Sequence, residues 1–85
     1  MGEITTVGLD LAKNVFHLVC CDAQGKVVKR KMLKRGKLAG YVANLPSCLI
    51  AMEACAGAHF WGRRFEELGH QVRLIAPQHV KAYVR

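Results

Sequence analysis

The chain has 85 residues, of which 13 are lysine or arginine and 6 are aspartate or glutamate, so its formal net charge is +7. This length allows one small domain, and a hydrophobic fraction of 52% with 22% charged residues is typical of a folded chain. The longest apolar stretch, residues 48–52, is far shorter than the roughly 20 residues that cross a bilayer, so we expect no membrane partner.

Three segments at the start predict a meander of antiparallel strands. Residues 4–10 and 15–21 are rich in β-branched and apolar side chains, which is typical of buried strands. Residues 22–25, with the sequence DAQG, have turn chemistry. The more polar residues 26–33 predict a third strand at an edge of the sheet.

The pattern then changes to a helical period. Residues 34–44 predict an amphipathic helix that Pro46 ends, because apolar residues recur at helical spacing: Leu38, Tyr41, Val42 and Leu45. The apolar residues 48–53 predict a central strand.

The remaining elements follow the same logic. A second helix is predicted from a stripe that ends just before Gly69 and consists of Ala58, Trp61, Phe65 and Leu68. Residues 72–75 predict a fifth strand, and Pro77 is placed for the first turn of a third helix. The predicted order is β-β-β-α-β-α-β in an α/β fold with a mixed sheet, whose helix-linked strands are parallel.

The cysteines and histidines carry no metal-binding pattern. The sequence has no C-x-x-C pair, and the adjacent Cys20 and Cys21 point to opposite faces of a strand. The chain begins without an apolar signal segment, so we expect a cytoplasmic protein with buried free thiols. The spacing of the histidines makes a zinc site improbable.

Two of the six acidic residues stand apart from the others. Asp10 and Glu53 each end an apolar strand, and the carboxyl edge of an open α/β sheet is where ligands bind. If the first and fourth strands are parallel neighbours, both carboxylates project into one cleft. The structural alternative is that Asp10 begins a turn and Glu53 serves the start of the next helix.

A divalent cation would relieve the repulsion between such paired carboxylates. Oxygen-only ligands favour Mg²⁺ or Mn²⁺ over zinc, and paired ions of this kind stabilise the attacking and leaving oxygens of phosphoryl transfer. Asp10 and Glu53 are therefore the candidate metal-binding and catalytic residues.

Basic residues are concentrated in one stretch. Residues 26–37 hold seven of the thirteen positive charges and no acid: Lys26, Lys29, Arg30, Lys31, Lys34, Arg35 and Lys37. Such a stripe favours a nucleic-acid backbone as partner, although lysines also protect an edge strand from aggregation. Lys13, three residues after Asp10, is a further candidate contact to phosphate.

Three segments of the chain resemble a known family. They read VGLDLAKNVFHLVCCDAQGKVV (7–28), NLPSCLIAMEACAGAHFWGRRFEELGH (44–70) and QVRLIAPQHVKAYV (71–84), and they are similar to the N-terminal RuvC-like domain of the DEDD transposases of bacterial insertion sequences, the IS-one-ten group. The resemblance covers nearly the whole chain in order and spacing, and MEACAGAHFW is its most specific segment.

The resemblance implies a ribonuclease-H-like fold with strand order 3-2-1-4-5 and an antiparallel second strand. It also implies an Asp-Glu-Asp-Asp set of catalytic metal ligands, in which Asp10 corresponds to the first and Glu53 to the second. No later aspartate follows in this sequence. The resemblance therefore predicts one partial catalytic domain over residues 1–85, without the C-terminal domain that supplies the family's serine; Ser47 does not correspond to it.

The family's activity gives further expectations. The resemblance implies a Mg²⁺-dependent DNA recombinase of bacteria that uses a guide RNA. We also expect self-association in the cytoplasm, because a third helix that stops at Arg85 would leave apolar surface uncovered. We expect weak or absent metal binding and little cleavage from this chain alone, because two of the four ligands are missing.

Two other functions remain open at the level of sequence. Actin-like and sugar-kinase ATPases begin with a similar hairpin and a D-x-G-x-[ST] phosphate loop, but residues 10–14 read DLAKN and lack both the glycine and the hydroxyl. The other alternative is a basic module that binds nucleic acid without catalysis.

Overall fold

Five strands and two helices follow one another in the predicted order. The computed structural model describes residues 3–11, 14–53 and 57–75. Its elements are β1 (Thr6–Leu11), β2 (Val15–Cys21), β3 (Val27–Lys34), α1 (Arg35–Ala43), β4 (Leu49–Glu53), α2 (Ala58–Glu67) and β5 (Gln71–Ile75). The predicted third helix from Pro77 lies outside the described residues.

The strands form a single mixed sheet in the order β3-β2-β1-β4-β5. The hairpins make β1–β2 and β2–β3 antiparallel, whereas helical crossovers make β1–β4 and β4–β5 parallel. In the β2–β3 turn, the Asp22 side chain accepts hydrogen bonds of 3.0 Å from the backbone N–H groups of Gln24 and Lys26. The predicted strand order and directions are confirmed.

Element ends differ from the predictions by one or two residues. Strand β2 has its predicted bounds, β1 begins at Thr6, and β3 is shifted by one residue. Helix α1 lies within the predicted range, but Leu45 falls beyond its end. The helix ends because the N–H of Leu45 bonds to the Val42 carbonyl, only three residues back, just before Pro46.

One face of the sheet carries the hydrophobic core. Alternate strand residues point to this helix face, where both described helices pack. The fully buried members of the core include Val7, Leu9, Phe16, Leu18, Cys20, Leu38, Val42, Ile50, Met52 and Phe65. Trp61 meets Phe16 edge-on at 5.7 Å and stacks on Phe65 at 5.6 Å between ring centroids. The predicted core stripe is confirmed for Ala58, Trp61 and Phe65. It is wrong for Leu68, which is 37% exposed because α2 ends one residue earlier, at Glu67.

The intervening strand residues point to the opposite side, here called the second face. No helix within residues 3–11, 14–53 and 57–75 packs on it. The strand residues on this face include Gly8 and Asp10 of β1, His17 and Val19 of β2, Arg30 and Met32 of β3, Ala51 and Glu53 of β4, and Arg73 of β5. Cys20 and Cys21 lie on different faces, as predicted.

A buried histidine joins α1 to β4. His70 is only 5% exposed. Its Nε2–H donates to the Val42 carbonyl at 2.9 Å, and its Nδ1 accepts from the backbone N–H of Cys48 at 3.3 Å. The same Nδ1 lies 3.6 Å from the Cys48 sulfur. The ring therefore satisfies backbone groups from two elements at once.

The cysteine side chains that the structure describes are buried and form no disulfide: Cys20, Cys21 and Cys48. This confirms the predicted burial for these three. Cys55 lies outside the described residues. Within the described part of the chain, no helix has the length and hydrophobicity needed to cross a membrane.

Candidate functional site

The two acidic residues selected from the sequence lie near the carboxyl ends of neighbouring parallel strands: Glu53 is the last residue of β4, and Asp10 is the last but one of β1. The register pairs Gly8 with Ala51 and Leu9 with Met52, so Asp10 and Glu53 occupy the next position on each strand. Because adjacent strands lie about 4.8 Å apart and side chains alternate, both carboxylates belong to the second face at one edge of the sheet. Asp10 is exposed and Glu53 is half-buried.

Asp10 opens onto a groove on the second face. It lies opposite His17 of β2, which in turn lies opposite Met32 of β3. The groove has a volume of about 540 Å³ and is lined by Asp10, His17, Leu18, Val19, Arg30, Lys31 and Met32. A ligand in this groove would therefore contact one carboxylate, one imidazole and at least one cationic residue.

The chemistry of the donor set suits a hard divalent cation. Mg²⁺ and Mn²⁺ prefer carboxylate and water oxygens, and neighbouring carboxylates at a sheet edge supply such donors. Within residues 3–11, 14–53 and 57–75, no group of three or more metal-ligating side chains lies together. The described part of the site therefore offers two protein ligands, Asp10 and Glu53, and leaves the other coordination positions to water or to further groups.

The basic stretch does not form one continuous surface. Lys29 pairs with the buried Cys20, and the ammonium groups of Lys29 and Lys31 each lie 5.7 Å from the centre of the Tyr41 ring, next to α1. Arg30 and Lys34 alternate with them and belong to the second face. The basic residues of β3 therefore alternate between the two sides of the strand, and their binding to nucleic acid stays a prediction.

The other basic candidates lie away from the carboxylates or beyond the described structure. Arg35 begins α1, with its guanidinium 5.7 Å from the centre of the Phe16 ring. Lys37 is exposed on the same helix. Lys13 lies outside the described residues.

Two residues of the second face were not selected from the sequence. His17 lies directly opposite Asp10, and Arg73 of β5 lies opposite Ala51. The sequence pattern nevertheless indicated the position of both residues. Each is the polar residue between apolar neighbours in a predicted strand, which places it on the face opposite the core.

These features define an α/β domain with acidic residues at the carboxyl edge of its central parallel strands, the position at which such sheets bind ligands. The chain is 46% identical over 85 residues to the transposase for insertion sequence element IS1328 of Yersinia enterocolitica. It is 52% identical over 83 residues to a probable family 20 transposase of Pseudomonas aeruginosa. It is 44% identical over 85 residues to the transposase for insertion sequence element IS1111A of Coxiella burnetii.

These similarities cover 98–100% of this chain but only 23–25% of each relative, so the chain spans about a quarter of the length of the proteins that it matches. The chain is thus homologous to a part of the insertion-sequence transposases. No model of a known protein family matches the sequence, and no solved structure matches the chain.

Proposed function

We propose that this chain is part of the catalytic domain of a DNA transposase and that Asp10 and Glu53 bind the divalent cation used in strand cleavage. The observation that carries the proposal is the parallel β1–β4 register, which sets the two carboxylates side by side. The sheet order 3-2-1-4-5 is also the order expected of a RuvC-like, ribonuclease-H-like domain. The homology to insertion-sequence transposases supports the same assignment.

The two carboxylates have different surroundings and hence different parts in this proposal. Glu53 is half-buried at the end of the central strand β4, so its backbone is held by pairing with strands on both sides. Asp10 is exposed and faces the groove, where it meets both cation and substrate. When bound, Mg²⁺ or Mn²⁺ would stabilise the negative charge that develops on phosphate oxygens during cleavage.

The proposal includes partners for the whole protein. DNA is the substrate, a guide RNA selects the target, and several copies assemble in the bacterial cytoplasm. Residues 1–85 form one partial domain of that protein. The only acids after Glu53 in this sequence are Glu66 and Glu67, which are exposed on α2. The chain alone therefore binds metal weakly and cleaves little, because two ligands of the four-acid set are missing.

Metal titration tests this proposal. Calorimetric titration with Mn²⁺ is performed on the chain and on the variants Asp10→Asn, Glu53→Gln and Glu66→Gln. Each of the first two substitutions should weaken binding at least about tenfold, because one of two carboxylate ligands loses its charge. Glu66→Gln, which removes an equal charge from the surface of α2, should leave binding unchanged. Equal affinities for all four proteins would contradict the proposal.

A further inference from the structure

An arginine stands at each end of one row of residues that crosses the second face. The row runs over all five strands: Arg30 pairs with Val19, Val19 with Gly8, Gly8 with Ala51, and Ala51 with Arg73. At about 4.8 Å per strand, the two arginine backbones lie about 19 Å apart. The residues between them, Val19, Gly8 and Ala51, are uncharged, so the row has a cationic side chain at each end and none in between.

The candidate metal ligands lie in the next row. Asp10 and Glu53 are two positions further along their strands than Gly8 and Ala51, and His17 of the antiparallel strand β2 is two positions before Val19. Two residues of a strand span about 7 Å. The carboxylate pair is therefore in the row next to the arginines and lies between them as viewed across the sheet.

We infer that Arg30 and Arg73 hold the phosphodiester backbone of DNA across the second face, on either side of the carboxylate pair. This inference rests on the proposed function and adds Arg73 as a binding residue. Both arginines are exposed, and a guanidinium can donate two parallel hydrogen bonds to one phosphate. Lys34, on the same face of β3, adds a third positive charge.

The charge balance makes this binding dependent on a divalent cation. Asp10 and Glu53 repel phosphate when they carry no cation, and they offset the charges of the two arginines. A bound Mg²⁺ removes that repulsion and attracts the backbone itself. DNA should therefore bind the second face more tightly in Mg²⁺ than in the same ionic strength of a monovalent salt.

Strand β3 supplies a matched control in the residue next to Arg30. Lys29 carries the same charge one position away, but it lies on the helix face over Tyr41. Loss of either charge changes the net charge of the protein equally. Only the loss of Arg30 or Arg73 removes a cation from the second face, so any general electrostatic effect appears in all three variants.

The experiment measures DNA affinity by fluorescence anisotropy across a salt series, with and without Mg²⁺, for the chain and for Arg30→Gln, Arg73→Gln and Lys29→Gln. Each arginine variant should weaken duplex binding about 3–10-fold and reduce the slope of log affinity against log salt by about 0.9. Lys29→Gln should stay within about twofold of the unmodified chain. Thermal melting monitored by circular dichroism confirms that each variant is folded.

The outcomes separate this inference from the proposed function. If Lys29→Gln weakens binding as much as Arg73→Gln, or if Arg73→Gln has no effect, the inference is wrong, whether or not Asp10→Asn abolishes the Mg²⁺ dependence. If both arginine variants weaken DNA binding while Mg²⁺ changes the affinity of none of the proteins, the arginines are confirmed as DNA-binding residues and the metal site is not confirmed. Competition by polyglutamate as strong as that by DNA would also overturn the inference, because the face would then bind any polyanion.

Discussion

Replacement of His70 by leucine tests whether this side chain holds α1 against the sheet. Leucine has a similar volume and keeps the site apolar, but it can neither donate nor accept a hydrogen bond. The N–H of Cys48 loses its partner at 3.3 Å and remains buried. The Val42 carbonyl loses its 2.9 Å bond to Nε2 but keeps the 3.1 Å bond from the N–H of Leu45.

The loss of stability in His70→Leu follows from the two hydrogen bonds that the variant removes, which differ in their contribution. An unsatisfied buried N–H costs about 1–3 kcal/mol, and loss of one of two bonds at a carbonyl costs about 0.5–1.5 kcal/mol. His70→Leu should therefore lower the free energy of unfolding by about 2–4 kcal/mol. A chain of this length has a total free energy of unfolding of about 4–13 kcal/mol, so the variant stays folded over all but the lowest part of that range.

Urea unfolding followed by fluorescence provides the assay, since Trp61 is the single tryptophan and lies in the core. If the free energy of unfolding falls by about 1 kcal/mol per M of urea, the urea concentration at which half of the protein is unfolded should be about 2–4 M lower for the variant. His59→Leu, an exposed position on α2, serves as the matched control and should change the free energy of unfolding by less than about 0.5 kcal/mol. Equal midpoints for the His70 and His59 variants would refute the role assigned to His70.

Three further predictions concern backbone conformation, packing and thiol chemistry. Gly69→Ala should destabilise the chain by about 1–2 kcal/mol in the same urea assay, because Gly69 has a φ of 96°. Gly40→Ala should stabilise the chain by about 0.5–1 kcal/mol, because Gly40 lies on α1 with open space around it. Changes of the same sign in the free energy of unfolding for both variants would contradict this. Phe65→Ala should lower the free energy of unfolding by about 3–5 kcal/mol and Phe60→Ala by less than about 1 kcal/mol, since Phe65 is fully buried and Phe60 is 56% exposed. Similar urea midpoints for the two variants would contradict this. Burial raises the pKa of the Cys48 thiol from 9.0 to about 11, so the stability that the protonated thiol contributes is present below pH 9 and lost as the pH rises towards 11. Peptide mass spectrometry after iodoacetamide treatment at pH 8 should find Cys48 labelled far more slowly in the folded chain than in urea. Equal labelling rates would contradict its burial.

Local patterns were sufficient to predict most of the elements. The apolar run of residues 15–21 gives the bounds of β2, and the stripe of α2 ends at Gly69 with the positive φ expected after a helix. The strand directions were predictable because short hairpins require antiparallel neighbours and helical crossovers favour parallel strands, whereas the strand order came from the family resemblance. The prediction that Asp10 lies beside Glu53 depended on the first and fourth strands being parallel neighbours, and the β1–β4 register meets that condition.

The face of each basic side chain could not be predicted in the same way. Residues 27–34 alternate without a clear apolar face, so the positions of Lys29 and Arg30 depend on the register with β2. That register shifts at an irregularity between Cys20 and Cys21, which no local sequence pattern marks.

The role of His70 was also beyond local reasoning. Its hydrogen-bond partners, Cys48 and Val42, lie 22 and 28 residues away in the sequence. The residue follows a helix in a short connection, where a polar side chain is ordinarily exposed. Only the tertiary fold, which sets the end of α1 and the residue before β4 on either side of the His70 ring, brings the three groups together.

The central claim is that Asp10 and Glu53 bind one divalent cation between them, and paramagnetic broadening by Mn²⁺ in the amide spectrum of the ¹⁵N-labelled chain tests it most directly. At low Mn²⁺ concentration we expect the signals of residues 9–11 and 52–53 to disappear first, and each of Asp10→Asn and Glu53→Gln to reduce this effect at both strands. Broadening that begins at the exposed Glu66 and Glu67, or that a single variant removes from its own strand alone, would contradict the claim.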